Sequence, residues 1–420
     1  MRDSVVALVV ALAVAMPAAS VARAETVDAT MTTLVAGRQD PRDGNLYSSV
    51  PVIQNVALSL GDVQLRHVDD LRLVVAGWGE LTFLVTDSRL GATGDLDLGF
   101  VEGKLFDRRL FVRVGRQLVF GGAARAQPMD GGSLTLRIWR NVGLNVYGGV
   151  PVTPRFGVHQ GDAMTGGRIF WRPTVDSEVG ASFLEMLSDG LQARQDLGVD
   201  GRWRIVRSLT LTGYALASLI ELRLAEADLA ATWQPRTSVQ LGVDYRRTAP
   251  DLFLPRNSIL SVFSQETRDE AGGYAYWRPL PRLRAEADWH ALRNEAGFGQ
   301  RGGARVSASL GAAYETTLAA EVRVLRLATE NGYVQARLYA ISRLTPAMVA
   351  TVDVDLYELE RPINGQTLSF TGAATLGWDF APRWRAVVAA IADSTPQVDR
   401  RFECMAKLVY NATYRVRVRQ

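Results

Sequence analysis

The sequence predicts an all-β protein that forms a single transmembrane antiparallel β-barrel, and three observations favour this fold class. Short turns recur about every 30 to 36 residues along most of the 420-residue chain. Segments in which apolar and polar residues alternate flank these turns, and several segments end in tryptophan. Successive hairpins with tight turns at one end and looser loops at the other are typical of outer-membrane barrels.

The turns are the first element of this prediction. They fall near Arg108, Asn141, Thr174, Val206, Pro235, Leu280, Glu315, Pro346 and Pro382. Four of them follow a tryptophan–proline pattern, at Trp171–Pro173, Trp233–Pro235, Trp277–Pro279 and Trp378–Pro382. Proline has no N–H to donate, so we expect it to end the strand ladder. A tryptophan beside that point suits the aromatic girdle of a membrane barrel.

The strands are predicted from alternation. Leu283, Ala285, Ala287 and Trp289 share one face of a segment, and Arg284, Glu286, Asp288 and His290 share the other. Because successive side chains on a strand point to opposite faces, one face would meet lipid and the other a wet lumen. A soluble β-sandwich also alternates, but nine tryptophans and so many consecutive hairpins favour the barrel.

Twenty strands can be placed between Leu71 and Val418, so we expect about 18–20 strands, with 16 possible. Residues 1–24 resemble a signal peptide, with Arg2, an apolar run from Val5 to Ala19 and small residues before Glu25. Residues 25–70 are predicted to be an N-terminal periplasmic or extended segment, and residues 71–420 the barrel. An even strand number puts both termini in the periplasm, with short periplasmic turns and longer external loops.

The composition argues against several other functions. Cys404 is the only cysteine, and we expect it to be a small buried residue in the last strand. The three histidines do not have metal-ligand spacing, and there is no serine nucleophile elbow. We therefore expect no enzyme, no catalytic residues, no metal site and no cofactor. The formal net charge of +3 does not indicate a nucleic-acid partner.

One stretch resembles a known family. Val112–Gln117 contains a Gly-Arg-Gln triplet, and Phe120–Gly122 and Asp130-Gly131 follow it. This order resembles the alginate-export family. Three further segments, Gly148–Pro151, Gly166–Arg168 and the Pro250–Phe263 loop, resemble exopolysaccharide-export barrels of myxobacterial type. The resemblance implies an outlet for a secreted polysaccharide that works with a separate periplasmic export or co-polymerase protein. The chain departs from that group because acidic residues interrupt its arginines and it has no large periplasmic domain.

The candidate site is the lumen. Its predicted residues are Arg113, Arg116, Gln117, Asp130, Asp244, Arg246, Arg284, Glu286 and Asp288. Arg116 falls on the face of its strand that carries the apolar residues, so we expect a β-bulge to turn its side chain inward. There it would contact sugar hydroxyls or hold Asp130. The apolar loop from Thr248 to Asp269 is expected to fold into the lumen, although it could also cap the barrel outside or contact a partner. Its constriction candidates are Phe253, Arg256, Asn257 and Phe263.

Two functions remain open from the sequence. The first is an outer-membrane outlet for a secreted polysaccharide in a Gram-negative bacterium. The alternative is a diffusion or substrate-selective porin for sugars or small hydrophilic solutes. Both require outer-membrane lipid around the barrel and a hydrophilic polymer or sugar in the lumen. Architecture by itself does not separate them.

Overall fold

The chain closes into a single antiparallel β-barrel. The computed structural model describes residues 26–42, 45–65, 68–84, 89–120, 122, 127–152, 162–252, 266–313, 315–329 and 331–415. Within these ranges, 22 strands form one sheet, and each strand pairs with the next along the chain. The last strand pairs with the first, which closes the sheet. The predicted fold class, a single antiparallel β-barrel, is therefore confirmed.

The strands are 10 to 21 residues long. The first eleven are β1 (Thr26–Arg42), β2 (Asn45–Leu65), β3 (Val68–Leu84), β4 (Arg89–Leu105), β5 (Leu110–Val119), β6 (Gln127–Arg137), β7 (Val142–Pro151), β8 (Ala163–Thr174), β9 (Ser177–Ser188), β10 (Leu191–Val206) and β11 (Leu209–Ser218). The others are β12 (Arg223–Arg236), β13 (Val239–Thr248), β14 (Arg268–Leu280), β15 (Leu283–Asn294), β16 (Gly297–Leu310), β17 (Thr316–Arg326), β18 (Tyr333–Thr345), β19 (Met348–Ile363), β20 (Gln366–Ala381), β21 (Trp384–Thr395) and β22 (Val398–Arg415). A one-turn 3-10 helix, Pro250–Leu252, follows β13.

The N-terminal segment corrects the predicted domain boundary. Residues 25–70 were expected to precede the barrel, but they contain β1, β2 and the start of β3. These two additional strands account for the difference between the 20 strands placed from the sequence and the 22 observed. β1 pairs with β22 from Thr26↔Arg415 to Gly37↔Cys404. Without β1 and β2, strands β3 and β22 would leave unpaired backbone edges, which a membrane-spanning sheet cannot tolerate.

The two ends of the barrel differ. We call the end that holds all nine predicted turns the turn end, and the opposite end the loop end. The connections at the turn end are short, such as Thr237–Ser238 and Pro346–Ala347. At the loop end they are more variable, and the longest runs from Ala249 to Thr267. Because the strand number is even, β1 begins and β22 ends at the turn end.

The tryptophan–proline motifs make irregular strand ends at the turn end. The register shifts between Trp171 and Thr174, and equivalent shifts follow Trp233, Trp277 and Trp378. Each shift adds one residue to the strand that carries the motif, which is a β-bulge. The four tryptophans are exposed on the outer face. They form an aromatic band at this end of the barrel, as predicted.

The outer face is apolar away from the ends. Val243, Val306 and Leu338 are among the exposed large apolar residues. Cys404 also lies on this face and is exposed, so the expectation that it is buried is wrong. It shares its parity with Phe402 and Ala406, which places it on the outside of β22. In the part of the chain that the structure describes, no helix is long and apolar enough to cross a membrane.

The assignment of faces can be tested on two neighbouring residues of β16. Val306 lies on the outer face, and Ser307 lies on the inner face. We expect Val306→Arg to lower the free energy of unfolding in lipid vesicles by up to about 2–4 kcal/mol, because an arginine on the lipid-facing surface loses hydration. Ser307→Arg, the matched control, should cost far less because its side chain remains in water. Denaturant titration in vesicles measures both, and equal losses would contradict the assignment.

The lumen as candidate functional site

The inner face carries charged side chains that pair across strands. Strand register fixes this face, because residues directly opposite each other project to the same side. From β12 to β19 the charged residues form a nearly continuous arc around the wall. We call this set the ionic arc; its members are Asp228, Asp244, Arg246, Glu270, Asp288, His290, Arg301, Glu321, Arg323, Arg337, Asp353 and Asp355.

The arc begins with two pairs between strands. Arg246 on β13 donates to Asp228 on β12, with 3.0 Å from Nε to Oδ2. Arg301 on β16 donates from Nε to Glu270 on β14 at 2.6 Å. Glu270 lies directly opposite Arg246 in the ladder. Each carboxylate therefore has a guanidinium beside it, which compensates for its partial removal from water.

His290 lies between two carboxylates. Its Nε2 donates to Asp244 on β13, at 3.0 and 3.1 Å from the two carboxylate oxygens. Its Nδ1 lies 3.7 Å from Asp288 on its own strand. The side chain is buried although it faces the lumen. The closest partner of His290 is thus two strands away, and its contact with Asp288 on the same strand is the longer one.

The arc continues across β17 to β19. Arg323 pairs with Glu321 on its own strand and lies 4.0 Å from Asp288. Arg337 on β18 binds Asp353 on β19 through two hydrogen bonds of 2.8 and 2.5 Å. Arg337 also lies 3.7 Å from Asp355. A bidentate pair of this kind fixes the geometry of both side chains.

A second network lies on β8 to β10. Arg168 donates from Nε to Asp200 at 2.9 Å, and its Nη1 lies 2.7 Å from Glu178. The guanidinium lies 5.3 Å from the ring centre of Phe170. A Cβ at Gly180 would approach this guanidinium to 2.6 Å, so glycine leaves the space that Arg168 occupies. This network is more buried than most of the ionic arc.

Together these networks give a polar wall on which most charged side chains have an opposite charge beside them, although carboxylates outnumber cations. Within the ionic arc seven carboxylates face four guanidiniums and one imidazole. These side chains hold one another in place. A passing solute therefore meets hydrogen-bond donors and acceptors that are fixed and close together on the wall. Such a surface can form many weak hydrogen bonds with hydrated solutes.

Two predicted lumen residues lie on β5 and are tied to its neighbours. Arg113 donates to Glu102 on β4 at 2.7 and 3.0 Å and lies 4.4 Å from the ring centre of Phe100. Gln117 is fully buried; it donates to the carbonyl oxygen of Gly131 and accepts from Ser133. Both side chains project from the inner face of the barrel. Gln117 supports the wall and offers no exposed group to the lumen.

The other predicted residues divide into paired and unpaired groups. Asp244, Arg246 and Asp288 belong to the ionic arc. Arg284 and Glu286 are exposed on the same face of β15 and make no ion pair with any residue that the structure describes. Sequence reasoning missed Arg168, Asp200, Glu270, Arg301, Arg323 and Arg337 as site residues. All of them obey the period-two pattern on their strands, so that pattern was the available signal.

The expected inward turn of Arg116 is wrong. Arg116 pairs with Gly99 and with Asp130 in ladders that have no register shift. Its side chain therefore projects from the outer face of the barrel, as that of Val114 does. Asp130 projects from the same face. The bulge is instead in β4, where the register with β3 shifts between Ala76 and Gly77. Arg116 and Asp130 do not join the lumen set.

Arg116 takes the other role that the sequence allowed, which is to hold Asp130. Its Nε and Nη2 each donate to one carboxylate oxygen of Asp130 at 2.8 Å. Its Nη1 donates to Asp95 at 3.2 Å and to the carbonyl oxygen of Leu96 at 2.9 Å. The guanidinium thus links β6 to the irregular part of β4.

Part of the lumen wall is apolar and buried. Inward side chains of β5 to β12 form a cluster whose members are Val119, Met129, Tyr147, Met164, Leu184, Leu216 and Ala225. Leu252, in the 3-10 helix after β13, packs against this cluster. Ala249 is fully buried, and Asp251 pairs with Arg223 at 3.0 Å. The connection after β13 therefore starts along the inner wall.

Only residues 249–252 of this connection are described before the gap, so the inward course of the long loop stays a prediction. The constriction candidates Phe253, Arg256, Asn257 and Phe263 lie outside the described residues. Burial of large apolar side chains on an inner wall reduces the open cross-section on that side of the lumen.

Comparisons with known proteins support the architecture. No protein-family model matches the sequence, and no curated protein matches it either. The translocation pore of the P pilus usher PapC is similar in structure, with a TM-score of 0.52 and 9% identity over 93% of this chain and 100% of that chain. Pseudomonas aeruginosa OccK2 (OpdF) gives a TM-score of 0.46 and 12% identity over 93% and 98% of the two chains. The usher pore supports the barrel fold alone, and the comparisons do not single out the alginate-export family.

The pairing in the lumen can be tested on two arginines of β18. Arg337 is bound by Asp353, whereas the side chain of Arg343 faces the lumen and makes no ion pair with a described residue. We expect Arg337→Gln to lower the free energy of unfolding by about 1–3 kcal/mol, since two carboxylates lose their counter-charge. Arg343→Gln, with the same charge change, should shift it by less than about 0.5 kcal/mol. Chemical denaturation in vesicles compares them, and indistinguishable effects would rule out the pairing as a stabilising contact.

Proposed function

We propose that the protein is an outer-membrane channel through which hydrophilic solutes pass by diffusion. The observation that carries this proposal is a closed barrel whose inner face is lined by internally paired charges. Barrels of 16 or more strands enclose an aqueous channel, and those of 22 strands can hold a plug. A polar wall whose charges are mostly paired with one another admits neutral and weakly charged hydrophilic molecules.

The buried inner cluster supports a restricted channel over a wide open tube. Leu252 and its neighbours occupy space beside β5 to β12, so solutes would pass along the charged wall. Passage along a wall of fixed donors and acceptors favours molecules that carry several hydroxyl groups. Sugars and small sugar derivatives fit this chemistry.

The orientation follows from the two unequal ends. In outer-membrane barrels the short turns face the periplasm and the longer loops face outward. The turn end, with both termini of the barrel, would thus be periplasmic. The signal sequence and the tryptophan band fit an outer-membrane location in a Gram-negative bacterium, with phospholipid around the turn end.

The channel function is tested with the purified full chain in planar bilayers and in liposomes. We expect stepwise conductance and liposome swelling in neutral monosaccharides, with slower swelling as the sugar becomes larger. Reversal potentials in a salt gradient should show only a weak ion preference. Correctly folded protein that inserts without conductance or swelling would exclude a diffusion channel.

The narrowed side of the lumen gives a second prediction. Leu252→Asp should raise the unitary conductance, because a charged side chain no longer packs on the apolar inner wall and the connection after β13 loses that contact. Leu222→Asp is the matched control, since Leu222 is exposed in a turn at the same end. Single-channel recording compares them. An unchanged Leu252→Asp conductance would show that this contact does not limit the pore.

A second candidate is an outlet for a secreted polysaccharide. The breadth of a 22-strand barrel and its hydroxyl-binding wall favour it, and so does the sequence resemblance described above. This function requires a separate periplasmic protein to deliver the polymer. Deletion of the gene distinguishes the two: polymer retained inside the cell with normal sugar uptake supports the outlet. Normal surface polymer with slowed uptake supports the channel for small solutes.

A further inference from the structure

A cavity lies in the lumen wall near the turn end. It is formed by the inner face of β8 to β12 and has a volume of about 540 Å³. Ligand pockets in proteins typically have volumes of about 300–1,000 Å³. Its polar lining includes Arg168, Glu178, Asp200, Arg202, Thr212 and Tyr214. The cavity is thus large enough for one monosaccharide and is lined by groups that bind polar molecules.

Most charges around this cavity are already paired. Arg168 binds both Glu178 and Asp200. Arg172 also pairs with Glu178. Asp228, at the far edge, is held by Arg246 at 3.0 Å. The carboxylates of the cavity therefore carry their own counter-charges, and a ligand does not need to supply them.

Arg202 is the exception. It lies on β10, directly opposite Glu178 on β9 and Thr212 on β11. Its side chain is exposed to the cavity and makes no ion pair or side-chain hydrogen bond with the described residues. A guanidinium has five N–H donors in a planar fork that matches a carboxylate. The cavity therefore has one uncommitted cation on a preformed wall.

We propose that this cavity is a binding subsite for a hydroxylated monocarboxylate, such as a hexuronic acid. Arg202 binds the carboxylate through two parallel hydrogen bonds, and the hydroxyl of Thr212 and the phenol of Tyr214 contact the sugar hydroxyls. The carboxylate oxygens of Asp228 accept from hydroxyls on the opposite side. The proposal rests on the proposed channel function and names a substrate class for it.

The charge balance selects this class over others. A neutral sugar would leave Arg202 without a counter-charge. A ligand with two or more negative charges would meet only one free cation beside four acidic residues, which are Asp176, Glu178, Asp200 and Asp228. The single carboxylate matches the single free guanidinium. The same group occurs in a free sugar acid and in a residue of an acidic polymer, so both sources share the chemistry.

The test measures binding separately from conductance. Isothermal titration of the full chain in detergent uses glucuronate, glucose and a short oligoglucuronate as probes. The variant is Arg202→Gln, and the control is Arg343→Gln, an unpaired lumen arginine on the opposite wall. Tyr214→Phe removes only the phenol hydroxyl. Circular dichroism and heat-modifiable migration on gels check that each variant is folded.

We expect glucuronate to bind the parent, and Arg202→Gln to weaken binding at least tenfold, which corresponds to about 1.4 kcal/mol. Arg343→Gln should stay within twofold, and Tyr214→Phe should weaken binding several-fold. Binding of the oligomer alone, lost in Arg202→Gln, also supports the subsite and assigns it to a polymer. Equal binding of glucose, no binding of either acid, or equal affinity in Arg202→Gln overturns the proposal. Conductance of the parent in bilayers decides the channel function independently.

Discussion

Backbone pairing around a closed ring is the constraint on which the rest of this structure depends. In hydrocarbon every N–H and C=O group needs a partner within the protein, and a sheet meets this need only when it has no edge. The pairing of β1 with β22 provides that closure. Once the ring is closed, the side chains of each strand point alternately toward the lipid and toward the lumen. A one-residue slip would reverse a whole strand, so the register is strongly specified.

Closure also explains why charged residues can be so numerous inside. Each inward position faces its neighbours on both adjacent strands and, through longer side chains, residues two strands away. Arg168 reaches Asp200 across β9, and Asp244 reaches His290 across β14. Many charges on this wall therefore have an opposite charge within reach, which stabilises them where solvation is incomplete.

The barrel is not uniform around its circumference. The wall from β5 to β12 carries a buried apolar cluster toward the loop end, whereas the wall from β12 to β19 carries the ionic arc. The region of β4 to β6 is irregular as well, with a bulge in β4 and an arginine that links β4 and β6 on the outer parity. A channel through such a barrel has one side that determines its width and another that determines its polar contacts.

The sequence by itself determined the fold class, the nine turns and the faces of the clearly alternating strands. These features are local. A turn can be predicted from its own residues, and the face on which each side chain lies can be predicted from the alternation within one strand. It missed β1 and β2 because the polar stretch around Gly37–Leu46 interrupts their pattern. It also misassigned Arg116, since the prediction placed a bulge in β5, and this strand keeps its register with both neighbours. Only the tertiary structure decided which charges pair, because partners such as Asp244 and His290 are 46 residues apart. Their proximity depends on the register and tilt of three strands, which closure of the whole ring sets.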